Sequence, residues 1–564
     1  MRDAWNLGAK DAMGRSADGR GRRDGHGTGS KHLRMGLASE TQPICVPHLV
    51  AYRCHEKEDG AEKVEDARCS DAEREEATRT VEVEVRGYIA TTAKGNARDL
   101  HKACERVPDE EDEGFQWTET KDKDAKWKRF LCGEDAVHLP PDAPYVVRRP
   151  MYAGRLNASC EGDVRKVCGW MVDAWEWVLK TKLGLDKHKR KEMGAVLLLP
   201  DVMTRWEAKE MVNIVLKELE FGSIVVHQES LAALFGHGSI SGCVVSMGAQ
   251  CTTACCVEDG VALPETRVAF DFGGDQITQY LHWLLVRARA WPCSDVRPEA
   301  TALDCETVDR LKEAHCTYGR QDDETSHEAQ FYVHKVGQLA RRYTVNMASA
   351  RDLALMAYFY PKVLHGLAKG FAVDPAAPYE KQQDPEVVLE EYAGNDTYTQ
   401  KSANAGILPP VQEVNRDDTS EGPACTREAS PWVDTKLAEA GLHMAIVESI
   451  LRCTRIDLQQ KLFANIVLVG GGASPPGLAD VLEEKVLYGI PRDVSVETVN
   501  VLTPKIDCQT SVWFGGALLG TLDFARDTWL TREEWVEGGP MVGTARKYSA
   551  TTDVLSQAMS FMRW

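Results

Sequence analysis

The chain predicts an α/β fold with helices packed on sheets. Short apolar, β-branched runs alternate along it with segments of helical period, the pattern of covered sheets. The run Ile466-Val-Leu-Val469 stops at Gly470-Gly-Gly472, and the helix-like Leu478-Ala-Asp-Val-Leu-Glu-Glu-Lys485 follows. The run Ala195-Val-Leu-Leu-Leu199 is apolar at every position and reads as a fully buried strand. Glycines after a strand let backbone approach a ligand, and a helix N-terminus favours an anion. The 466–485 unit is therefore a candidate nucleotide site, although a tight turn without a ligand uses the same residues.

Taken in order, residues 1–26 are rich in Gly, Arg and Asp, with Arg15, Arg20, Arg22 and Arg23, and predict a disordered basic tail. Pro43–Arg53 reads as a strand. Residues 54–80 are highly charged and read as a solvated helix or loop. Thr80–Ala90 (TVEVEVRGYIA) alternates and reads as a strand. Asp109–Glu113 is an acidic loop. Between 161 and 183 the spacing of Val164, Val167, Cys168, Met171, Val172, Trp175 and Val178 predicts a helix with one buried face. After the Ala195 strand come a helix over Trp206–Leu219, a strand at Ser223–His227, a helix at Ser230–Phe235 and a strand at Cys243–Ser246. Residues 373–433 hold few large apolar side chains and predict an inserted, largely disordered loop. No internal repeat is visible.

A length of 564 residues implies several lobes, and 43% hydrophobic with 27% charged residues describes a soluble globular chain. No apolar run reaches the roughly 18 residues that span a bilayer, so no membrane is expected. The first residues lack the apolar core of a signal peptide. Seventeen scattered cysteines then point to a reducing compartment. Cys251, Cys255 and Cys256 lack a second spaced pair and read as buried small hydrophobes, so no metal is expected there. A net charge of −19 opposes generic phosphate-backbone binding and suits basic partners such as histone tails. The compact basic run Lys187-His-Lys-Arg-Lys191 is a local exception. It is a candidate nucleic-acid contact or import signal, with a solvated loop as the other reading.

Several motifs stand in a recognisable order. The segment Ser449–Gly472 closely resembles the actin family just ahead of its adenosine-binding turn. Thr510-Ser-Val-Trp-Phe-Gly-Gly-Ala517 and Trp529-Leu-Thr-Arg-Glu-Glu-Trp535 resemble its C-terminal helices. Phe270-Asp-Phe-Gly-Gly-Asp-Gln-Ile-Thr-Gln-Tyr-Leu281 resembles the start of its fourth subdomain. Gly29-Ser30 with Leu33–Ala38 resembles its first phosphate loop. Within the superfamily, Val225–Gly236, Cys256–Pro264, Pro47-His48 and Leu131–Asp135 resemble the actin-related protein 8 family, whose plant form is named actin-related protein 9.

The resemblance implies an actin-like, two-lobed α/β fold with insertions. Residues 27–50, 130–235 and 511–564 would form a first subdomain, and 51–129 a second with an acidic insertion. Residues 236–272 and 434–510 would form a third and 273–372 a fourth, with 373–433 inserted. Actin-like chains enter the first phosphate loop from an apolar strand, which Gly19–His26 cannot supply.

The actin pattern also bears on chemistry. Each phosphate loop there carries an aspartate that organises the metal. The resemblance places Gly27 at that position of the first loop, and Ser246 and Ala249 at the two positions of the second. It aligns the water-orienting glutamine with Asn213 and the adenine-side lysine with Gln509. Phosphoryl transfer depends on a positioned ion and a positioned water. The expectation is therefore negligible hydrolysis, no catalytic residue, no well-held magnesium and no enzyme. Backbone donors at Ser30, Lys31 and Gly248, the glycines Gly274, Gly470 and Gly471, and the charge of Arg34 remain as a cradle for ATP or ADP. An empty cleft kept for its shape is the alternative.

The resembled family is nuclear and belongs to the INO80 chromatin-remodelling complex. That implies partners among its other subunits, including actin and further actin-related proteins, and the histones of the nucleosome. DNA would be touched through Lys187, Lys189, Arg190 and Lys191. Roles in transcription and DNA repair are implied, with ATPase activity in another subunit. Acidic segments replace the second-subdomain contact of filaments, so the chain is expected not to polymerise. Two alternatives stand beside this: an active ATPase or chaperone of the same superfamily, and a cytoskeletal actin-related protein outside the nucleus.

Overall fold

Two sheets, each covered by helices, form two lobes. The structure is a computed structural model. It describes residues 4–6, 30–54, 71–85, 104–106, 115–122, 126–157, 164–318, 328–347, 350–365, 367, 440–492, 494, 496, 498–502, 507–522 and 529–538. The first lobe's central sheet has the order Ala4–Asn6, Gly194–Leu199, Ser223–Gln228, Leu530–Thr531, with the first three strands parallel and the last antiparallel. The second lobe's has the order Val261–Ala262, Thr252–Glu258, Gly242–Met247, Ile466–Val469, Val501–Leu502. Its three middle strands are buried along most of their length, as their near-continuous apolar runs require.

The first core packs Val167, Trp170, Met171, Ala174, Trp175 and Val178 of one helical run against Leu197, Leu199 and Ile224 of the sheet. This is the face the spacing predicts, carried by the α-helix Val164–Trp177 and a π-helical turn, Val178–Lys182. The helix Arg205–Asn213 opens on a capping box: Thr204 N donates to Glu207 Oε2 at 2.9 Å, while Glu207 N donates back to Thr204 Oγ1.

Two helices carry the chain between the lobes. Glu229–His237 leads from the strand Ser223–Gln228 to Gly242–Met247, and Ser511–Thr521 leads back from Val501–Leu502 to Leu530–Thr531. They cross almost backbone on backbone. A Cβ on Gly515 would stand 1.6 Å from the Ala232 carbonyl oxygen, and one on Gly236 would stand 2.0 Å from that of Ser511. Leu231, Leu234, Val512 and Leu519 complete a core between both sheets, with Val225 on one side and Val244, Val257 and Val467 on the other.

Three expectations change. Ala4–Asn6 lie in the tail read as disordered, yet pair in parallel with Gly194–Val196. Pairing needs only an open strand edge, not a long apolar run. Thr80–Val85 are helical within Asp71–Val85. The Val-Glu-Val-Glu-Val alternation misleads because Arg74, Thr78 and Val81 share one helical face and are buried, whereas Val83 is 63% exposed. Pro43–Arg53 is two strands, Ile44–Pro47 and Val50–Arg53. Residues 373–433, 109–113 and the rest of the tail lie outside the described residues, as does Gly27.

Candidate nucleotide cleft

The cleft is lined by loops that leave sheet strands. From the second lobe, Ile466–Val469 ends at Gly470, whose φ of +92° suits only glycine and whose Cβ would lie 2.6 Å from the Met247 carbonyl oxygen. A 3-10 turn, Gly471–Ala473, follows, and the helix starts at Leu478, so the glycines do not themselves cap it. Gly471 faces open space. A Cβ on Gly472 would come 2.3 Å from the Tyr358 hydroxyl, which is buried and has no hydrogen-bond partner among the described residues. A buried hydroxyl left unpaired beside a side-chain-free turn is what a sugar or base edge would satisfy.

The phosphate end is more occupied. Gly248 N donates to Cys251 O at 2.9 Å, so the expected donor closes its own turn instead. Gly274 N donates to Gly248 O at 3.0 Å and Asp275 N to Ala249 O at 2.7 Å, locking two loops together. Ser30 is buried, and its hydroxyl accepts from Gly154 N at 2.8 Å. Arg34 is buried and donates to the Gln509 carbonyl oxygen. Burial lowers its pKa to about 10 despite nearby Cys45 and Asp507. Gln509 in turn donates to Ser474 Oγ at 3.0 Å, beside the glycine turn.

Lys31 reaches across the cleft. Its ammonium lies 2.9 Å from Asp275 Oδ1 and pairs with Asp309, both in the second lobe. Lys312 closes the cluster, 2.7 Å from Asp309 Oδ1 and donating to Gly274 O at 2.9 Å. Gln250 Nε2 donates to Asp275 Oδ2 at 3.1 Å, and Gln250 Oε1 accepts from Ala153 N of the first lobe at 3.2 Å. Burial pushes the Asp275 carboxyl up, but Lys31, Arg149 and Lys312 outweigh it and hold it down at about 2. Asp275, Cys305 and Asp309 are close enough to share a cation. Lys31 and Lys312 already meet that charge, so this is an ion-pair cluster.

Asn213 is held on the first lobe by Trp535. Its side chain accepts from Trp535 Nε1 at 2.9 Å at the end of a first-lobe helix. The carboxyl that does face the second loop is Glu229, the first residue of the crossing helix, which accepts from Ser246 Oγ at 2.8 Å. Burial, then the neighbouring Asp201, push it up to about 7, and Asp201 is itself raised by burial. Sequence reasoning passed over Glu229, Asp275, Asp309, Lys312 and Tyr358. Their signals were faint: an acid at a helix start after a buried strand, and an acid directly after Gly273-Gly274.

The basic run is not a free cationic surface. Arg190 is buried and 3.5 Å from Glu176. Lys187 and Lys191 both pair with Glu220, at 2.9 and 3.0 Å, and their hydrogen bonds hold that carboxyl down at about 2. Lys189 is exposed and donates to Gly184 O at 3.2 Å. The short helix Lys187–Arg190 turns its charges onto local acids, which the linear sequence cannot show. Cys255 and Cys256 are buried on opposite faces of the strand Thr252–Glu258, in different cores, and serve as small hydrophobes.

Two lobes joined by crossing helices around a glycine-lined cleft define the class of actin-like proteins. A model of the actin family matches residues 27–342 and 373–548. Actin-related protein 9 of Arabidopsis thaliana is 34% identical over 470 residues, 83% of this chain and 73% of its own length. Actin-related protein 8 of Danio rerio is 28% identical, covering 91% of this chain and 90% of its own. The solved structure of human actin-related protein Arp8 in its ATP-bound state superposes with a TM-score of 0.68 at 25% identity, over 91% of this chain and 93% of that one. The chain belongs to the actin family, in its actin-related protein 8 branch.

Proposed function

We propose that this chain is a non-polymerising nuclear scaffold subunit of an INO80-type chromatin remodeller, and that it holds ATP or ADP without turning it over. The observation that carries the chemical half is the asymmetry of the cleft. Its adenosine end keeps the glycine turn, open at Gly471, and a Tyr358 hydroxyl without a partner among the described residues. On the second phosphate loop, Ser246 and Ala249 stand where the family pattern has carboxylates, and Lys31 is neutralised by Asp275 and Asp309. The solved human relative is ATP-bound, which supports nucleotide binding here. When bound, a magnesium–nucleotide would supply a polarised phosphate. This chain's own part would be Ser30, Lys31 and Arg34 facing the phosphates and Gly470–Gly472 beneath the adenosine.

The scaffold half is supported by the family, by the net charge of −19, and by the described parts of 51–129. Of these, Asp71–Val85 and Cys104–Arg106 pack on the second lobe, and residues 51–53 pair within the first. Affinity purification of a tagged copy from nuclei is expected to bring down actin, other actin-related proteins and a remodeller ATPase. A tagged copy excluded from nuclei and recovered with cytoskeletal proteins would contradict this.

A second reading, slow hydrolysis, is favoured by one observation. A buried carboxyl raised to about 7 and facing a phosphate loop, as Glu229 does, has the pKa of a general base. The two readings part on whether bound ATP becomes ADP.

A further inference from the structure

Among the described residues one cluster of carboxylates and thiol is close enough to share a cation: Asp275, Cys305 and Asp309. Two ammonium groups stand at it instead. Lys31 lies 2.9 Å from Asp275 Oδ1 and pairs with Asp309, and Lys312 lies 2.7 Å from Asp309 Oδ1. The second phosphate loop offers no replacement at the two positions where the family pattern has carboxylates. Ser246 already donates to Glu229, and Ala249 has only its backbone, whose carbonyl oxygen accepts from Asp275 N. Magnesium asks for near-octahedral oxygen ligands and is held by one or two carboxylates. These residues do not fit it.

They do fit the phosphates themselves. An ammonium has three donors. Those of Lys312 are all met, by Gly274 O at 2.9 Å, Thr278 Oγ1 at 2.7 Å and Asp309 Oδ1 at 2.7 Å. Those of Lys31 are not. Asp275 and Asp309 take two, and the third meets the Cys305 thiol at 4.0 Å, a weak acceptor. The Lys31 side chain is 16% exposed, whereas those of Asp275 and Asp309 are 1% and 7% exposed, so the accessible part of the cluster is its cation. Lys31 also follows Ser30 directly, in the first phosphate loop. We propose that Lys31 is a resident counter-charge for the phosphates of a nucleotide, in place of a protein-held divalent cation, so that binding needs no metal. Asp275 and Asp309 are positioning residues: they hold the ammonium where a phosphate oxygen can take its third donor. A lysine serves phosphate as a point charge. Magnesium carried in on the nucleotide keeps its own waters and gains no carboxylate here, so it adds little to affinity. The inference rests on the nucleotide-binding reading and names what holds the phosphates in it.

Calorimetric titration of the full chain, stripped of nucleotide, tests this with ATP in EDTA and again in millimolar magnesium. The two affinities of the unmodified chain are expected to agree within about threefold. Lys31→Met is expected to weaken binding in EDTA by about tenfold or more. Magnesium should restore part of that loss, because it brings the missing charge, and Lys31→Arg should lose less than Lys31→Met. Circular dichroism confirms that each variant is folded, and the comparison of buffers on the unmodified chain decides by itself if one is not. Binding that requires magnesium overturns the inference and leaves nucleotide binding standing. Absence of binding in both buffers overturns both. A folded Lys31→Met variant with unchanged affinity in EDTA, or with equal losses in the two buffers, also overturns it, since a merely structural lysine would not distinguish them.

Discussion

Glu229 shows how far burial alone can alter a residue's meaning. Its carboxyl is raised from 4.5 to about 7 by burial and by Asp201. The unfolded chain releases this proton near 4.5 and the folded chain near 7. Between those values the folded state binds more protons, so stability falls as pH rises through that window and stays reduced above it. Glu229→Gln keeps an acceptor for Ser246 and removes the ionisation. It is expected to raise the melting temperature at pH 8, by the equivalent of about 3 kcal/mol at most, with the gap closing by pH 5. Melts showing no pH-dependent gap would mean that the carboxyl is not buried as described. The basic run carries a second expectation. Because Lys187 and Lys191 share Glu220, the pair Lys187→Ala and Lys191→Ala should leave DNA affinity and its salt dependence unchanged within about twofold. A clear loss of affinity would restore the run as a DNA contact.

At the scale of elements, the crossing helices fix the lobes' relation through glycine. Gly515→Ala places a methyl 1.6 Å from the Ala232 carbonyl oxygen, so the helices must part. A loss of about 3 kcal/mol or more is expected in denaturant unfolding. Gly169→Ala, inside the helix Val164–Trp177 with nothing within 4 Å, should instead stabilise by about 0.5–1 kcal/mol. Equal effects would refute the close crossing. The elements were legible where one local signal dominated. Ala195–Leu199 and Ile466–Val469 are apolar throughout, and Val164–Val178 repeats at helical spacing. Legibility failed where partners lie far along the chain. Asp71–Val85 is a helix because Tyr280, Arg287 and His365 receive one of its faces, and no window around residue 80 contains them. The site divides the same way. The glycine turn could be read directly, but Lys31 with Asp275 and Asp309, 244 residues or more away, could not. The resemblance aligned Asn213 with a water-orienting glutamine, whereas its side chain accepts from Trp535, 322 residues along the chain.

For the whole molecule, we propose an actin-like fold that keeps a nucleotide cradle while Ser246 and Ala249 of its second phosphate loop stand where the family pattern has carboxylates. Lys31 with Asp275 and Phe115 with His138 and His334 are contacts between the lobes. The most direct test follows the fate of bound nucleotide. The purified chain is loaded with magnesium–ATP, freed of excess by gel filtration, and sampled over hours for ATP and ADP by chromatography. One nucleotide per chain, still ATP after hours at neutral pH, is the predicted result. ADP accumulating within minutes, or no nucleotide eluting with the chain, would contradict it.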